Sequence, residues 1–162
     1  MEEVTIKNYK QLAMRTCLPS AKNWDYCYTL IASEIGEAFG KWGKKFRDGE
    51  FDKEKLTDEL GDVFWGLALA CELGGYNFEK LWNRKIDTEQ RRGILQFKVF
   101  CPKEFFCCDF ELHISSVLYI SRFTKTFAEQ CGIDPLDCLR RNIEKLAGRK
   151  ERGTIGGNGD NR

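Results

Sequence analysis

Two short stretches of the chain each carry two acidic residues three positions apart. The first pair is Glu34 and Glu37, and the second pair is Glu59 and Asp62. Residues three apart lie on one face of an α-helix, so each pair would project its carboxylates in one direction. Both pairs interleave with apolar residues at helical spacing, which places each pair at the edge of a buried face.

A short turn between the two acidic segments predicts an antiparallel helical hairpin, with all four carboxylates at the rim of one groove. Four acids this close repel one another and lose solvation, which is costly without a counter-ion. Oxygen ligands in this number suit Mg²⁺ or Mn²⁺, which keep several waters and bridge to phosphates. The pattern therefore predicts a divalent-metal site, and two solvated helix faces are the alternative. Gly36 and Gly61, between the acids, would let a backbone or a ligand come close.

A cationic clamp for phosphate is predicted near the end of the chain. Asn142, Lys145 and Arg149 follow one another at three and four residues, so they share a helix face. Lysine and arginine donate charged hydrogen bonds to phosphate oxygens, arginine in forked geometry. A solvated basic helix end, where cations suit the helix dipole, is the alternative.

Two residues of the second predicted helix are further candidates for binding a substrate. Lys41 lies one turn beyond Glu37, and it would either meet a phosphate or pair with Glu37. Trp24 lies at the start of that helix, where it could stack on a base or pack in the core.

Four segments of the sequence together resemble the MazG-like all-α nucleotide pyrophosphohydrolases. They are Asn8–Thr16, Ile31–Glu37, Asp58–Val63 and Asn142–Leu146, the last followed by a glycine-rich end. The resemblance covers about residues 5–86 and 128–162. It implies a helical bundle that forms a homodimer or homotetramer.

The resemblance also implies an activity. Proteins of this family cleave (deoxy)nucleoside triphosphates to the monophosphate and pyrophosphate, which controls nucleotide pools. The four acids would hold Mg²⁺ (or Mn²⁺) and activate a water, with Glu34 polarising it. Two other classes stay open: a catalytically inactive nucleotide-binding regulator and a purely structural helical interaction protein.

The chain departs from the family pattern after its third helix. The basic helix is expected there, but Arg84–Thr88 lacks its asparagine and lysine, and the match comes only at Asn142. A weak internal repeat aligns Glu72–Ile86 with Glu129–Ile143. We therefore expect residues 93–127 to be an insertion or a degenerate repeat between the metal half and the phosphate half.

Hydrophobic periodicity predicts one all-α domain over residues 1–152, with a glycine-rich tail at 153–162. The expected helices are about Ile6–Cys17, Trp24–Phe46, Lys53–Leu73, Phe78–Arg91, Glu111–Gln130 and Pro135–Arg152. Large apolar side chains such as Phe64, Trp65 and Trp82 lie beyond the face used by the hairpin, which favours a dimer or a pair of dimers.

Composition excludes several classes of protein. The chain has 162 residues, 42% apolar and 31% charged, with a net charge of +1. This balance gives no attraction to polymeric nucleic acid or to a membrane, and no apolar run is long enough to span one. The charged N-terminus lacks a signal core. We expect a soluble, cytoplasmic protein.

Eight cysteines are too few for a disulfide scaffold. Reduced thiols that serve as small core residues are the main interpretation. A metal site built from Cys101, Cys107, Cys108 and His113 is the alternative, although that spacing fits no common zinc motif.

Overall fold

The structure is a computed structural model, and it describes residues 2–84 and 114–155. Within these ranges the chain is helical and contains no β-strand, so the all-α prediction is confirmed. The helices are α1 (Ile6–Met14), α2 (Trp24–Asp48), α3 (Lys53–Leu73), α4 (Phe78–Asn83), α5 (Ile114–Gln130) and α6 (Pro135–Glu151), with a 3₁₀ turn at Pro19–Ala21. None of these helices combines the length and apolar character that a membrane span requires.

Short polar side chains set where the helices begin. Asn23, Asp52, Asn77 and Asp134 each cap a helix by accepting a hydrogen bond from a backbone N–H of its first turn. The predicted start at Asp134-Pro135 is therefore confirmed. At the other end of α2, Gly49 takes the left-handed conformation (φ 86°) that stops the helix.

Helix α1 ends three residues before the predicted Cys17. The amides of residues 15–17 bond carbonyls three residues back, so the last turn tightens out of α-helical geometry. The two segments of the weak repeat do share one shape, because Gly75 and Gly132 both make a left-handed turn between helices (φ 66° and 70°). Residues 85–113, which include most of the predicted insertion, and the tail beyond residue 155 lie outside the described part.

Helix α3 is the centre of the bundle. Its predicted apolar stripe is buried in full: Leu56, Leu60, Val63, Leu67 and Ala70. Phe64 and Trp65 on its other faces are buried too, and the Trp65 indole N–H donates to the carbonyl of Ala13 at 3.2 Å. These aromatic side chains are covered within the single chain, as is Trp82, so they provide no argument for a dimer.

The hairpin of α2 and α3 is antiparallel as predicted, because Ile31 meets Gly66 while Lys41 meets Glu59. Helix α5 also buries its predicted face, which consists of Val117, Ile120, Thr124 and Phe127.

The cysteines that the structure describes are free thiols: Cys17, Cys27, Cys71, Cys131 and Cys138. Burial raises the pKa of Cys27, Cys71 and Cys138 to about 12, so these thiols stay protonated and act as small apolar residues. The alternative metal site at Cys101, Cys107, Cys108 and His113 lies outside the described residues.

Helix α6 packs on α3 at Gly61. A Cβ atom added at Gly61 would lie 2.7 Å from the carbonyl oxygen of Cys138 and 3.1 Å from Cβ of Asn142. The expected close approach at Gly61 is therefore present, and its partner is the backbone of α6. Gly36 has nothing within 4 Å of such a Cβ.

Two glycine substitutions should distinguish the close packing at Gly61 from the open space at Gly36. At Gly61→Ala, overpacking should outweigh the gain in helix propensity and lower the free energy of unfolding by about 1–2 kcal/mol. Gly36→Ala is the matched control, and it should stabilise the protein by about 0.5–1 kcal/mol because only propensity changes. Urea denaturation measures both values. Equal stabilisation by the two variants would mean that α6 does not approach α3 at Gly61.

Candidate metal centre

Three of the four predicted acids converge. Glu34 comes from α2, while Glu59 and Asp62 come from α3, and one carboxylate oxygen of each lies within 4.8 Å of the others. All three side chains are partly buried. Glu37 lies outside this group: it is exposed, and its Oε1 accepts a 3.4 Å hydrogen bond from the hydroxyl of Ser33.

Two lysines border the three carboxylates. Nζ of Lys41 lies 3.2 Å from Oε1 of Glu59, across the hairpin, so its partner is neither of those expected from the sequence. Nζ of Lys145, on α6, donates to Oδ2 of Asp62 at 2.5 Å. Among the described residues, Glu34 alone of the three acids has no cationic partner.

Asn142 is fully buried beneath the acids and does not reach the surface where a phosphate would bind. Its amide Nδ2 donates to Oδ1 of Asp62 at 2.8 Å, and its Oδ1 accepts a 3.2 Å hydrogen bond from the hydroxyl of Tyr9 on α1. In this arrangement Asn142 binds a carboxylate, whereas the sequence predicted that it binds the substrate.

A second pair of residues joins α3 to α6 one turn away. The guanidinium of Arg141 donates two hydrogen bonds to the carboxylate of Asp58, at 2.8 and 3.1 Å. Sequence reasoning missed this fork and also missed Tyr9. The fork alone had a signal in the sequence, since Arg141 and Lys145 are four residues apart, as are Asp58 and Asp62.

Of the two basic segments, the one at the end of the chain lies against the acids. Helix α6 contacts them directly, while Arg84 is exposed at the end of α4. Arg149 is partly exposed one turn beyond Lys145, and it forms no ion pair with another described residue. Its carbonyl accepts the backbone N–H of Thr154 at 2.9 Å, which closes the end of α6.

Trp24 lies away from the acids. It stacks on Tyr28, with ring centroids 5.7 Å apart, and packs against the core. It precedes Glu34 by ten residues on α2, which is about 15 Å along the helix axis.

Glu34 is the electrostatically distinct member of the group. Burial is the largest cause that raises its pKa, and the charges of Asp62, Glu37 and Glu59 add to it, partly offset by Lys145. Together they lift the pKa of Glu34 from 4.5 to about 8. Near neutral pH this carboxyl therefore keeps its proton, while Glu59 and Asp62 are each paired with a lysine.

The donor set fits a hard divalent cation. Every ligand atom is a carboxylate oxygen, from three side chains on two helices, which is the type of ligand that Mg²⁺ and Mn²⁺ prefer. A cation there would offset the burial and the charge repulsion that keep Glu34 protonated. The residues that would hold it are Glu34, Glu59 and Asp62.

Fold and site together define an all-helical protein with a carboxylate cluster bordered by lysines. No protein-family model, curated protein or solved structure matches this chain.

The stability of the protein without metal should depend on the charge of Glu34. The folded state retains a proton that the unfolded chain loses above its pKa of 4.5, so stability falls as the pH rises from about 4.5 to about 8. Glu34→Gln mimics the protonated acid and should remove this decline. In metal-free buffer the two proteins should have equal melting temperatures at about pH 5 and different ones at about pH 9. The variant should then melt higher, by about 2–4 °C for each kcal/mol of stability that ionisation of Glu34 costs the wild type.

The control for this experiment is Glu50→Gln, an exposed acid in the turn between α2 and α3. Titration of the buried cysteines affects all three proteins alike, so it cancels in the comparison. If the difference in melting temperature between Glu34→Gln and the wild type is the same at every pH, then Glu34 does not have a raised pKa.

Proposed function

We propose that this protein hydrolyses nucleoside triphosphates to the monophosphate and pyrophosphate with a divalent cation, Mg²⁺ or Mn²⁺, and so controls a nucleotide pool. The observation that carries the proposal is the convergence of Glu34, Glu59 and Asp62 next to Lys145. Carboxylates and a lysine in one partly open site suit a substrate that brings phosphate groups and a cation together. The similarity of the acid motifs to MazG-like pyrophosphohydrolases supports the same reaction.

When bound, the cation would supply neutralisation of phosphate charge and activation of water. The protein's own residues would do the rest. Lys145 and Arg149 lie one turn apart on α6, and they would hold phosphate oxygens by charged hydrogen bonds. Lys41, on the opposite side, is a third candidate for a phosphate.

Glu34 would polarise the attacking water in its carboxylate form. Without a cation it keeps its proton, because burial and the charges of Asp62, Glu37 and Glu59 raise its pKa to about 8, and a bound cation would favour the ionised form. Water adds to the α-phosphorus, the bond from that phosphorus to the bridging oxygen breaks, and pyrophosphate leaves with the bridging oxygen.

One observation favours a second candidate function, a catalytically inactive nucleotide-binding regulator. Lys41 and Lys145 already neutralise Glu59 and Asp62, so the site is partly balanced without a cation. Such a protein would bind nucleotide and release no pyrophosphate.

The direct test is release of pyrophosphate from a panel of ribo- and deoxynucleoside triphosphates, with Mg²⁺ or Mn²⁺ and with EDTA. We expect turnover that needs the cation. Glu59→Ala should lower kcat by about a hundredfold or more, because one oxygen ligand is lost and Lys41 is left unpaired. Glu50→Ala is the matched control and should retain wild-type activity. Nucleotide binding without turnover in the wild type would instead support the regulator.

Removing the ammonium of Lys145 should affect cation and substrate in opposite directions. Lys145→Ala frees Asp62 from its cationic partner, so Mn²⁺ should bind more tightly in the absence of nucleotide. The same change should lower kcat/KM by about ten- to a hundredfold through a lost charged hydrogen bond to phosphate. Lys44→Ala, an exposed lysine of α2, is the control. Wild-type kcat/KM in both Lys145→Ala and Arg149→Ala would mean that phosphate binds elsewhere.

A further inference from the structure

The hydroxyl of Tyr9 is fully buried at the meeting point of α1, α3 and α6. It bonds Oδ1 of Asn142 at 3.2 Å, and Nδ2 of Asn142 bonds Oδ1 of Asp62 at 2.8 Å. The chain of hydrogen bonds therefore runs from the first helix of the protein to one of the three converging carboxylates.

The donor and acceptor roles in this series of hydrogen bonds follow from its last member, Asp62. Oδ1 of Asp62 is a carboxylate oxygen and can only accept, so the amide of Asn142 must turn its NH₂ group toward it. That leaves the carbonyl oxygen of Asn142 facing Tyr9, which must donate. Burial, with the nearby charge of Asp62, raises the pKa of Tyr9 well above 10, so the phenol keeps the proton that it donates.

The two oxygens of Asp62 are held by different partners. Asn142, itself fixed by Tyr9, holds Oδ1 from within the core, while Lys145 holds Oδ2 from a partly exposed position. A phosphate that attracts Lys145 would leave Oδ2 free, and Asn142 would still fix the carboxylate.

We propose that Tyr9 is a positioning residue for the cation site: through Asn142 it fixes the orientation in which Asp62 presents its carboxylate beside Glu34 and Glu59. This inference rests on the proposed function, because it assumes that the three acids hold a divalent cation. Partners behind a ligand typically change metal affinity by about 10- to 100-fold when they are removed.

The ring of Tyr9 is held independently of its hydroxyl. It packs on Phe78, with ring centroids 5.2 Å apart, and belongs to the apolar core. Tyr9→Phe should therefore remove one hydrogen bond and keep the packing. That makes it a cleaner variant than any change at Asn142, whose loss would also remove the hydrogen bond to Oδ1 of Asp62.

The experiment measures the dissociation constant of Mn²⁺, added alone to the full chain, by electron paramagnetic resonance of free Mn²⁺. Tyr9→Phe should weaken binding by about 10- to 100-fold. Thr124→Val is the matched control: it also deletes a buried hydroxyl, one that bonds only the carbonyl of Ile120 within α5. We expect Thr124→Val to bind Mn²⁺ as the wild type does, even where urea denaturation shows a similar loss of stability.

A double-mutant cycle tests whether Tyr9 acts through Asn142. If it does, adding Tyr9→Phe to Asn142→Ala should change the Mn²⁺ dissociation constant by no more than about twofold, because the connection is already cut. A merely structural role predicts the same loss in both backgrounds and would overturn the proposal.

Two further outcomes are distinct. Wild-type affinity in Tyr9→Phe, with normal Mn²⁺ binding by the wild type, overturns the positioning role and leaves the proposed function standing. No Mn²⁺ binding by the wild type overturns the proposed function and this inference together.

Discussion

The contact between α3 and α6 at Gly61 is the constraint on which the candidate site depends. With no side chain at this position, the carbonyl of Cys138 comes within 2.7 Å of the point where a Cβ would stand. That approach brings the next turns of α6 over α3, so that Asn142 and Lys145 reach Asp62 and Arg141 reaches Asp58. A side chain at position 61 would move every one of these donors outward.

The charges explain why the three acids can stay close without a cation. Lys41 and Lys145 balance Glu59 and Asp62, and Glu34 avoids a third charge by keeping its proton at neutral pH. A bound cation would compete with a proton at Glu34 and with ammonium groups at the other two acids. The pH and phosphate ligands would therefore both affect how strongly a cation binds.

Local pattern was sufficient to predict the helices. The apolar stripe of α3, the start of α6 at Asp134-Pro135 and the buried face of α5 all follow from periodicity and capping, which depend on neighbours in the sequence. The four acids were also found by their spacing. Spacing could not show that Glu37 stays exposed while Glu34 turns inward, because that depends on how deeply each position lies between packed helices.

Residue spacing along the sequence could not predict which side chains pair between helices. Lys41 bonds Glu59 across the hairpin and not Glu37 on its own helix, and Asn142 lies in the core and not on a basic surface. Tyr9 was read only as part of an N-terminal match, since nothing local reveals that its hydroxyl meets a residue 133 positions away. Each of these contacts joins different helices, and the sequence of one helix does not specify its neighbours.

Glu59 and Asp62 lie more than 80 residues before Lys145 in the sequence, but helix packing brings them together. Helix α3 is central and is contacted by both α2 and α6. Its acid Glu59 therefore pairs with Lys41 of α2, and its acid Asp62 pairs with Lys145 of α6. Lys145 lies beside Asp62 because the close approach at Gly61 and the Asp58–Arg141 fork fix α6 directly on α3. The acids and the donors of α6 therefore form one unit through helix packing, although they lie far apart in the sequence.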